Sequence, residues 1–364
     1  MVTLLEVIQR TPSIVQSILD TRKEKTKDLM DYLGGKVREI DEFVFIGSGT
    51  SGTCAMSSRG AVERVSGLRS TVSFPNEFYT DRAVRNKNAL YIFTSQSGNS
   101  ILTRECMRKM TAEGYLTVGI TEGPTTDIAK EAGVHVDMGC GFEEYGFRTI
   151  GYCASILTHI VIAMEIALAA GRLSQEDYDR YLADAYRVPE SHQAVSSKTL
   201  AWFEKNKERL MDSTSYFFYG AGPLWGVALE GALKMLEITG RVAVGYELEE
   251  GLHGPTMAFN DKTCVISLNG GDAGSEKAVG LGKMCKNNTG KGFIMGAEGV
   301  DETDLVFDIA GGEFRALEFA PAVEILAYEI AINSGIDLMK PSTPPKESYF
   351  ETHDFSNDPA KAGE

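Results

Sequence analysis

The sequence of 364 residues contains six cysteines but no Cys-x-x-Cys pair. A chain of this length, sufficient for two domains, needs no disulfides to stabilise its core, so buried, reduced thiols in a cytoplasmic protein are expected. Histidine is also scarce, because only five are present and their spacings match no metal site. We therefore expect no catalytic metal.

Positive charge is in deficit, with 36 Lys and Arg residues against 51 Asp and Glu residues, a net charge of −15. Such a surface repels nucleic acid and anionic lipid, so neither is an expected partner. The most apolar stretch, 151–170, contains His159 and Glu165, which favours a buried core helix over a membrane span. The start of the chain lacks a basic region, so no secretory signal is expected.

The chain does show a regular alternation of short β-rich runs and helical stretches, after an opening helical segment that reaches about residue 35. This alternation predicts an α/β protein whose parallel sheets are covered by helices. The predicted strands are 42–47, 70–74, 89–94, 116–121 and 134–138 in the first half, and 215–220, 242–246, 263–268, 292–296 and 305–309 in the second half.

The two halves align with each other. Gly47 in FIGSG matches Gly220 in FYGAG at an offset of 173, and Ser95 matches Ser267 at an offset of 172. A duplicated α/β domain is predicted, although any two doubly wound domains could share such turns. The polar run that follows Pro189 is expected to interrupt the helical pattern between the domains. The predicted segments are a helical segment 1–35, a first domain 36–190, a second domain 191–340 and a C-terminal tail 341–364.

Two loops that follow predicted strands are rich in hydroxyls, and each leads into a predicted helix, the first at about Thr53. The first loop spells G-x-G-x-x-G, but the nearest acid after the second strand is Glu77, beyond Pro75, so a dinucleotide cofactor is disfavoured and no cofactor is expected. Donors at helix N-termini suit a phosphate monoester, while helix capping by Asn99 or Ser100 is the alternative for the second loop. The candidate phosphate ligands are Ser48, Gly49, Thr50, Ser51, Ser95, Gln96, Ser97 and Ser100.

Candidate acid-base groups occur in the second half. Glu230, Lys234 and Glu237 share one face of a predicted helix over 222–240. A surface ion-pair ladder is one interpretation, but the flanking apolar residues indicate a buried helix, where charges are costly and often mark a site. His253 follows three glutamates in YELEEGLHGP, and a loop histidine near carboxylates suits proton transfer, although a lone histidine is usually structural.

Taken together, GSGTS, SQSGNS, EGALKMLEI, EEGLHGP and a lysine in the tail resemble the SIS (sugar isomerase) domain family. The resemblance is closest to the isomerase half of glucosamine-6-phosphate synthase and to stand-alone deglycases of fructosamine or glucoselysine 6-phosphates. The sixteen residues from Glu237 to His253 equal the family's interval between its proton-shuttling glutamate and its ring-opening histidine. The resemblance implies two tandem doubly wound SIS domains, each a five-stranded parallel sheet flanked by helices.

The resemblance also implies roles for the candidate residues. Glu237 would shuttle a proton between C1 and C2 of a sugar phosphate, with Lys234 and Glu230 orienting it and the sugar. His253 would open the sugar ring from a neighbouring subunit, which implies a homodimer or a higher homo-oligomer. Lys346 would meet the sugar carbonyl, within a tail that closes the active site. The hydroxyl-rich loops would hold the phosphate.

Three departures from the synthase shape the functional prediction. The sequence shows no amino-terminal glutaminase domain and has Val2 where that domain needs cysteine, so synthase activity is not expected. Asn99 and Leu252 replace a glutamate and a lysine of the synthase near the sugar. Eighteen residues follow Lys346, where the synthase ends almost at once.

The preferred hypothesis is a deglycase that splits a 6-phosphorylated ketosamine into hexose 6-phosphate and free amine through an enolamine. A glucosamine-6-phosphate deaminase or an aldose-ketose phosphosugar isomerase is the alternative, since both would use the same glutamate. A non-catalytic phosphosugar-binding regulator is less favoured, because no helix-turn-helix extension is visible and the charge is −15.

Overall fold

The computed structural model describes residues 2–80, 84–340 and 349–354. The strands are β1 (Glu42–Ile46), β2 (Arg69–Ser73), β3 (Ala89–Thr94), β4 (Leu116–Thr121), β5 (Val134–Asp137), β6 (Ser215–Gly220), β7 (Val242–Glu247), β8 (Thr263–Asn269), β9 (Gly292–Gly296) and β10 (Leu305–Val306). The α-helices are α1 (Leu4–Lys25), α2 (Lys27–Leu33), α3 (Thr50–Ser66), α4 (Pro75–Thr80), α5 (Ile101–Ala112), α6 (Asp127–Glu131), α7 (Ile150–Ala169), α8 (Gln175–Ala185), α9 (Val188–Met211), α10 (Pro223–Thr239), α11 (Ser275–Asn288) and α12 (Ala316–Asn333).

The strands form two parallel sheets of five strands each, with orders β2-β1-β3-β4-β5 and β7-β6-β8-β9-β10. The predicted α/β class and all ten predicted strands are confirmed, although β10, at a sheet edge, is shorter than predicted. Every residue of β3 and of β8 is buried. Continuous burial of this kind is typical of strands in parallel sheets, whose faces are covered by helices.

The two sheets repeat the same spacing as well as the same order. Helices α3 and α10 both have 17 residues, and α10 begins and ends 173 residues after α3 begins and ends. Strand β6 likewise begins 173 residues after β1. The turn before each helix contains a glycine of matching conformation, Gly49 with φ 58° and Gly222 with φ 56°. Glycine adopts this left-handed region without steric cost. These matches support the predicted duplication.

The third strands do not keep that offset. Strands β3 and β8, and the helices α5 and α11 that follow them, begin at an offset of 174. Ser95 therefore corresponds to Asn269, and the predicted match of Ser95 to Ser267 is wrong. Ser267 lies inside β8, which is one residue longer than β3, and its Oγ donates to the carbonyl of Ala278 at 2.8 Å.

Contacts within the described chain define two compact units, each containing one sheet. The first-sheet unit comprises 14–80, 84–143, 151–182 and 349–354, and the second-sheet unit comprises 2–13, 144–150 and 183–340. The polar run expected to interrupt the helical pattern instead lies inside α9. Pro189 sits in the first turn of this helix, where its missing N–H costs nothing, so it begins a helix rather than ending one.

Helix α7 contains the apolar stretch noted in the sequence. Among the described residues, it is the one helix long and apolar enough to cross a membrane, judged by length and composition only. Inside the protein, 89% of its most apolar window is buried, as predicted for a core helix. The six cysteines all fall within the described ranges, where they are buried and form no disulfide.

His159 on α7 is fully buried, and both of its ring nitrogens have hydroxyl partners. Nδ1 lies 2.9 Å from Ser58 Oγ, and Nε2 lies 2.9 Å from Thr94 Oγ1. A hydroxyl either donates or accepts, so this arrangement satisfies a neutral imidazole. Burial lowers the pKa of His159 to about 3, and burial lowers the pKa of His192 on α9 equally, to about 3.

Acidification below neutrality is therefore expected to destabilise the fold. In the unfolded chain a histidine has a pKa of about 6.5, so between that value and about 3 the unfolded state binds more protons than the native state. Each buried histidine then costs about 1.4 kcal/mol per pH unit. Urea unfolding at pH 7 and pH 5 should show a smaller loss of stability in His159→Gln than in the unaltered chain. Equal losses would contradict the assignment.

Candidate active site

The first hydroxyl-rich loop joins β1 to α3 at the carboxyl edge of the first sheet. Helix α3 begins at Thr50, three residues before the predicted start. The N–H of Ser51 donates to the carbonyl of Ser48 at 3.1 Å, which closes the turn around Gly49. Ser48 is exposed, while Thr50 and Ser51 are half-buried. Polar side chains and the first turn of a 17-residue helix therefore lie together at this edge.

The second loop follows β3, the neighbour of β1, so both loops lie at the same edge of the sheet. Ser95 Oγ donates to Ser100 Oγ at 3.0 Å, and Ser97 is half-buried. Gly98 has φ 67°, and a Cβ there would lie 2.3 Å from Thr126 Cβ, so glycine is required for both reasons. Ser100 precedes α5 but its side chain makes no capping hydrogen bond, which contradicts the capping alternative for this residue.

Gln96, in the same loop, is held by a buried carboxylate. Its side-chain nitrogen Nε2 donates to Glu143 Oε2 at 2.6 Å, and the N–H of Gly151 donates to the same oxygen at 3.0 Å. The carbonyl of Gln96 accepts from the N–H of Glu122 at 2.8 Å. Both the backbone and the side chain of Gln96 are therefore fixed within the first-sheet unit.

The described part of the tail pairs with the second loop. The carbonyl of Thr352 accepts from the N–H of Ile101 at 3.2 Å, and the N–H of Asp354 donates to the carbonyl of Asn99 at 2.9 Å. His353 and Ser100 form the antiparallel bridge between these contacts. Lys346 lies outside the described residues, so its role and the predicted closure by the tail stay predictions.

The three charged residues of α10 form a connected group. Lys234 Nζ lies 2.9 Å from Glu230 Oε1 and 3.0 Å from Glu237 Oε2. The side chains of Glu230 and Lys234 are fully buried, whereas that of Glu237 is 34% exposed. The alternative of a surface ion-pair ladder is therefore wrong for the first two residues. Of these three side chains, only that of Glu237 reaches solvent.

The two glutamates keep Lys234 charged. Burial by itself lowers the pKa of Lys234, but the carboxylates of Glu230 and Glu237 outweigh it and raise the pKa above the ordinary value. Lys234 is therefore an ammonium at neutral pH. In the described part of the chain, Glu237 Oε2 accepts from this ammonium while Oε1 accepts no hydrogen bond. A carboxylate with one oxygen anchored and the other open is suited to accept a proton from a bound molecule.

His253 follows a short 3-10 helix, Glu250–Leu252, beyond the end of β7. Its side chain is 71% exposed, and Nε2 lies 3.4 Å from Glu249 Oε1. Glu249 in turn pairs with Lys277, which is the main reason for the lowered pKa of this carboxyl, with His253 adding to it. An exposed histidine beside a carboxylate can exchange protons with whatever approaches this surface.

Glu237 and His253 of one chain do not meet. The loop of His253 follows the carboxyl end of β7, whereas Glu237 lies fourteen residues after the start of α10, which begins beyond the carboxyl end of the neighbouring β6. A rise of 1.5 Å per residue places Glu237 about 20 Å along the helix from that edge. Among the described residues, no hydrogen bond or ion pair joins the two side chains.

Sequence reasoning missed Glu143, Gly151 and Lys277. The first two lie around the connection from β5 to α7, where no periodic pattern marks a role, and Lys277 is one of many helical lysines. Within the described ranges, no three His, Cys, Asp or Glu side chains are grouped so that they could hold a metal ion.

The comparisons with known proteins agree with this architecture. Residues 36–164 match the model of the SIS domain, and the second sheet repeats the strand order of the first sheet, which those residues contain. The resemblance noted in the sequence is thus confirmed.

The individual relatives are distant in sequence. The glutamine–fructose-6-phosphate aminotransferase (isomerizing) of Shouchella clausii is 26% identical over 344 residues, which are 93% of this chain and 56% of that protein. The chain therefore spans a little over half the length of this curated relative. A proposed phosphosugar isomerase from Clostridium difficile is similar in structure with a TM-score of 0.85 and 22% identity, over 97% of this chain and 99% of that chain. Glucosamine-6-phosphate deaminase from Thermotoga maritima has a TM-score of 0.66 and 22% identity, over 92% and 98%.

Removal of the buried ammonium is expected to destabilise the second-sheet unit strongly. Lys234→Met would leave the fully buried Glu230 without this counter-charge, and breaking a buried ion pair in this way costs about 3–5 kcal/mol. The measurement is urea unfolding at pH 7. Lys207→Met is the matched control, because Lys207 pairs with Glu204 on the exposed face of a helix and should matter much less. Similar losses in both variants would argue against a buried charged group.

Proposed function

We propose that the chain is a deglycase acting on a 6-phosphorylated ketosamine, which it splits with water into hexose 6-phosphate and free amine. The observation that carries the proposal is the group on α10, where buried Lys234 anchors one oxygen of Glu237 and leaves the other open. A carboxylate held in this way is suited to transfer a proton between adjacent carbon atoms. The similarity to proteins named for phosphosugar isomerisation and deamination supports the same class of chemistry.

The phosphate is assigned to the two loops of the first-sheet unit. Their hydroxyls and the first turns of α3 and α5 offer hydrogen-bond donors at one edge of the sheet. No lysine or arginine lies within either loop, so the donors are neutral. A chain with a net charge of −15 could then select a phosphorylated sugar by local donors rather than by its overall field.

The proposed reaction begins with ring opening. His253 moves a proton between the ring oxygen and the anomeric hydroxyl, which exposes the ketone at C2. Glu237 then takes a proton from C1 while the C2 oxygen gains a proton from solvent, giving an enolamine. Glu237 returns its proton to C2 while the nitrogen loses a proton to solvent, giving an imine at C1. Water adds to the imine and the amine leaves, so that the products are hexose 6-phosphate and free amine. Lys234 holds Glu237 throughout, and Glu230 holds Lys234.

A glucosamine-6-phosphate deaminase or an aldose-ketose isomerase is the second candidate. Both reactions need the same transfer between C1 and C2, and the fold of the Thermotoga maritima deaminase is shared by this chain. The candidates differ in what is attached at C1 or C2 and in whether water enters. Substrate tests rather than the arrangement on α10 distinguish them.

The position of His253 bears on the oligomer. Because His253 and Glu237 lie near opposite ends of the second sheet, one chain cannot bring both to the same sugar carbon atoms without a large rearrangement. We therefore propose a homodimer or a higher oligomer in which His253 acts on a substrate held by a neighbouring copy. The exposure of His253 fits a residue that is used across a subunit contact.

The test of the function is mass spectrometry of the purified protein incubated separately with fructoselysine 6-phosphate, glucoselysine 6-phosphate, glucosamine 6-phosphate and fructose 6-phosphate. Release of lysine with hexose phosphate supports the deglycase. Release of ammonia, or only an isomerised sugar, favours the second candidate. Binding without turnover of any of the four would instead indicate a regulator.

Glu237→Gln is expected to lower kcat by about 10²- to 10⁴-fold, the range for loss of one general acid-base group, while substrate binding changes little. The measurements are steady-state kinetics and calorimetric binding of the substrate. Glu276→Gln, an exposed glutamate on α11, is the control and should retain activity. Full turnover by Glu237→Gln would overturn the mechanism.

Mixed oligomers test the subunit proposal. When inactive Glu237→Gln chains are mixed with inactive His253→Asn chains in a dimer, one of the two sites in each mixed dimer receives both unaltered residues. A random mixture should then recover about one quarter of the unaltered activity, measured after unfolding and refolding the chains together. No recovery, with mixed dimers verified by mass spectrometry, would show that Glu237 and His253 of the same chain act together.

A further inference from the structure

Glu143 is a buried carboxylate beside the proposed phosphate loops. It lies on the connection from β5 to α7, and only 3% of its surface is exposed. Its Oε2 accepts from Gln96 Nε2 at 2.6 Å and from the N–H of Gly151 at 3.0 Å. Gly151 belongs to the first turn of α7, and the positive end of a helix dipole stabilises a carboxylate there.

These contacts fix the orientation of the Gln96 amide. A carboxylate oxygen accepts hydrogen bonds, and the nitrogen end of Gln96, not its oxygen end, faces Glu143. The other end is confined by Gly151, because a Cβ at that position would lie 1.6 Å from Gln96 Oε1. Only glycine leaves room for this placement. The backbone is fixed separately, since the carbonyl of Gln96 accepts from the N–H of Glu122.

We infer that Glu143 is a positioning residue for the phosphate site and acts through Gln96. One N–H of the Gln96 amide is bonded to Glu143, and the second N–H is thereby held in one direction, available to a phosphate oxygen. The inference rests on the proposed function, because it assumes that the loop of Ser95, Gln96 and Ser97 receives the phosphate. Glu143 itself touches neither the sugar nor the reacting carbon atoms.

The test is the kinetics of Glu143→Gln with the substrate found in the panel above. An uncharged amide no longer dictates which end of Gln96 faces it, so KM should rise about tenfold, the effect of one lost charge-assisted hydrogen bond. The kcat should stay within about threefold, because the acid-base groups are untouched. Glu105→Gln, an exposed glutamate on α5 in the same unit, is the matched control and should leave KM unchanged.

A double-mutant cycle separates positioning from a general structural effect. If Glu143 acts through Gln96, then Glu143→Gln should add little to the KM of Gln96→Ala. Gly151→Ala displaces Gln96 without altering the carboxylate and should raise KM by a similar factor, which also keeps the test decisive if Glu143→Gln folds poorly. An additive cycle, or unchanged KM in both Glu143→Gln and Gly151→Ala, would overturn the inference.

Calorimetry with inorganic phosphate distinguishes this inference from the proposed function. Binding by the unaltered chain that weakens about tenfold in Glu143→Gln and Gly151→Ala supports both. Binding that is equal in all three proteins overturns the role of Glu143 and leaves the phosphate site standing. No binding of phosphate or of any panel sugar phosphate by the unaltered chain would overturn the phosphate site, and the role of Glu143 with it.

Discussion

The second-sheet unit depends on a lysine ammonium that is buried beside two carboxylates. Moving charges out of water costs several kcal/mol per ion, and the cost is offset only when the pairing geometry is good and both partners are in place. Lys234 lies 2.9 and 3.0 Å from its two glutamates, one of them fully buried with it. The remaining glutamate sits where the group reaches solvent. The helix therefore presents one carboxylate to solvent, with its Oε2 held by Lys234 and its Oε1 open.

Comparison of the two repeats shows that the charged group of α10 has no counterpart on α3. At the offset of 173 that relates α3 to α10, the positions of Glu230, Lys234 and Glu237 are occupied in the first-sheet unit by Ser57, Ala61 and Arg64. Conversely, the hydroxyl-rich loop 95–100 corresponds to Asn-Gly-Gly-Asp-Ala-Gly at 269–274, which contains no hydroxyl. One repeat carries the loops suited to an anion, and the other carries the acid-base group. The two repeats share a topology but not a chemistry.

The sequence predicted those features that depend on local periodicity. The ten strands and two parallel sheets follow from the alternation of short β-rich runs with helical stretches. The single face of Glu230, Lys234 and Glu237 follows from the helical spacing of 3.6 residues. The polar run after Pro189 was misjudged because a proline in the first turn of a helix looks, in sequence, like one that ends a helix. The match of Ser95 to Ser267 failed because it used an offset of 172, whereas the third strands and the helices that follow them begin at an offset of 174.

Features that depend on tertiary contacts were not predictable in this way. Glu143 and Gln96 are 47 residues apart, and nothing in the spacing of either indicates that they bond. Gly151 lies in an apolar helix, where the local sequence gives no reason for a glycine. The reason is steric, because a Cβ at this position would overlap the side chain of Gln96. Positions of this type are recognised from a close approach between atoms or from a buried charge. Both can be identified only when the fold is known.

A buried carboxylate beside a proposed phosphate site would repel a dianion unless its charge were offset nearby. Helix N-termini contribute to that offset in the first-sheet unit, because Glu143 bonds to the N-terminal turn of α7 while the two hydroxyl-rich loops lead into the N-termini of α3 and α5. Each helix N-terminus carries about half a positive charge. The carboxylate thus faces one helix N-terminus, and an anion bound by the proposed loops would face two others. In the proposed arrangement, the acidic chain uses a glutamate to orient a neutral amide toward the anion and does not need a lysine in the loop.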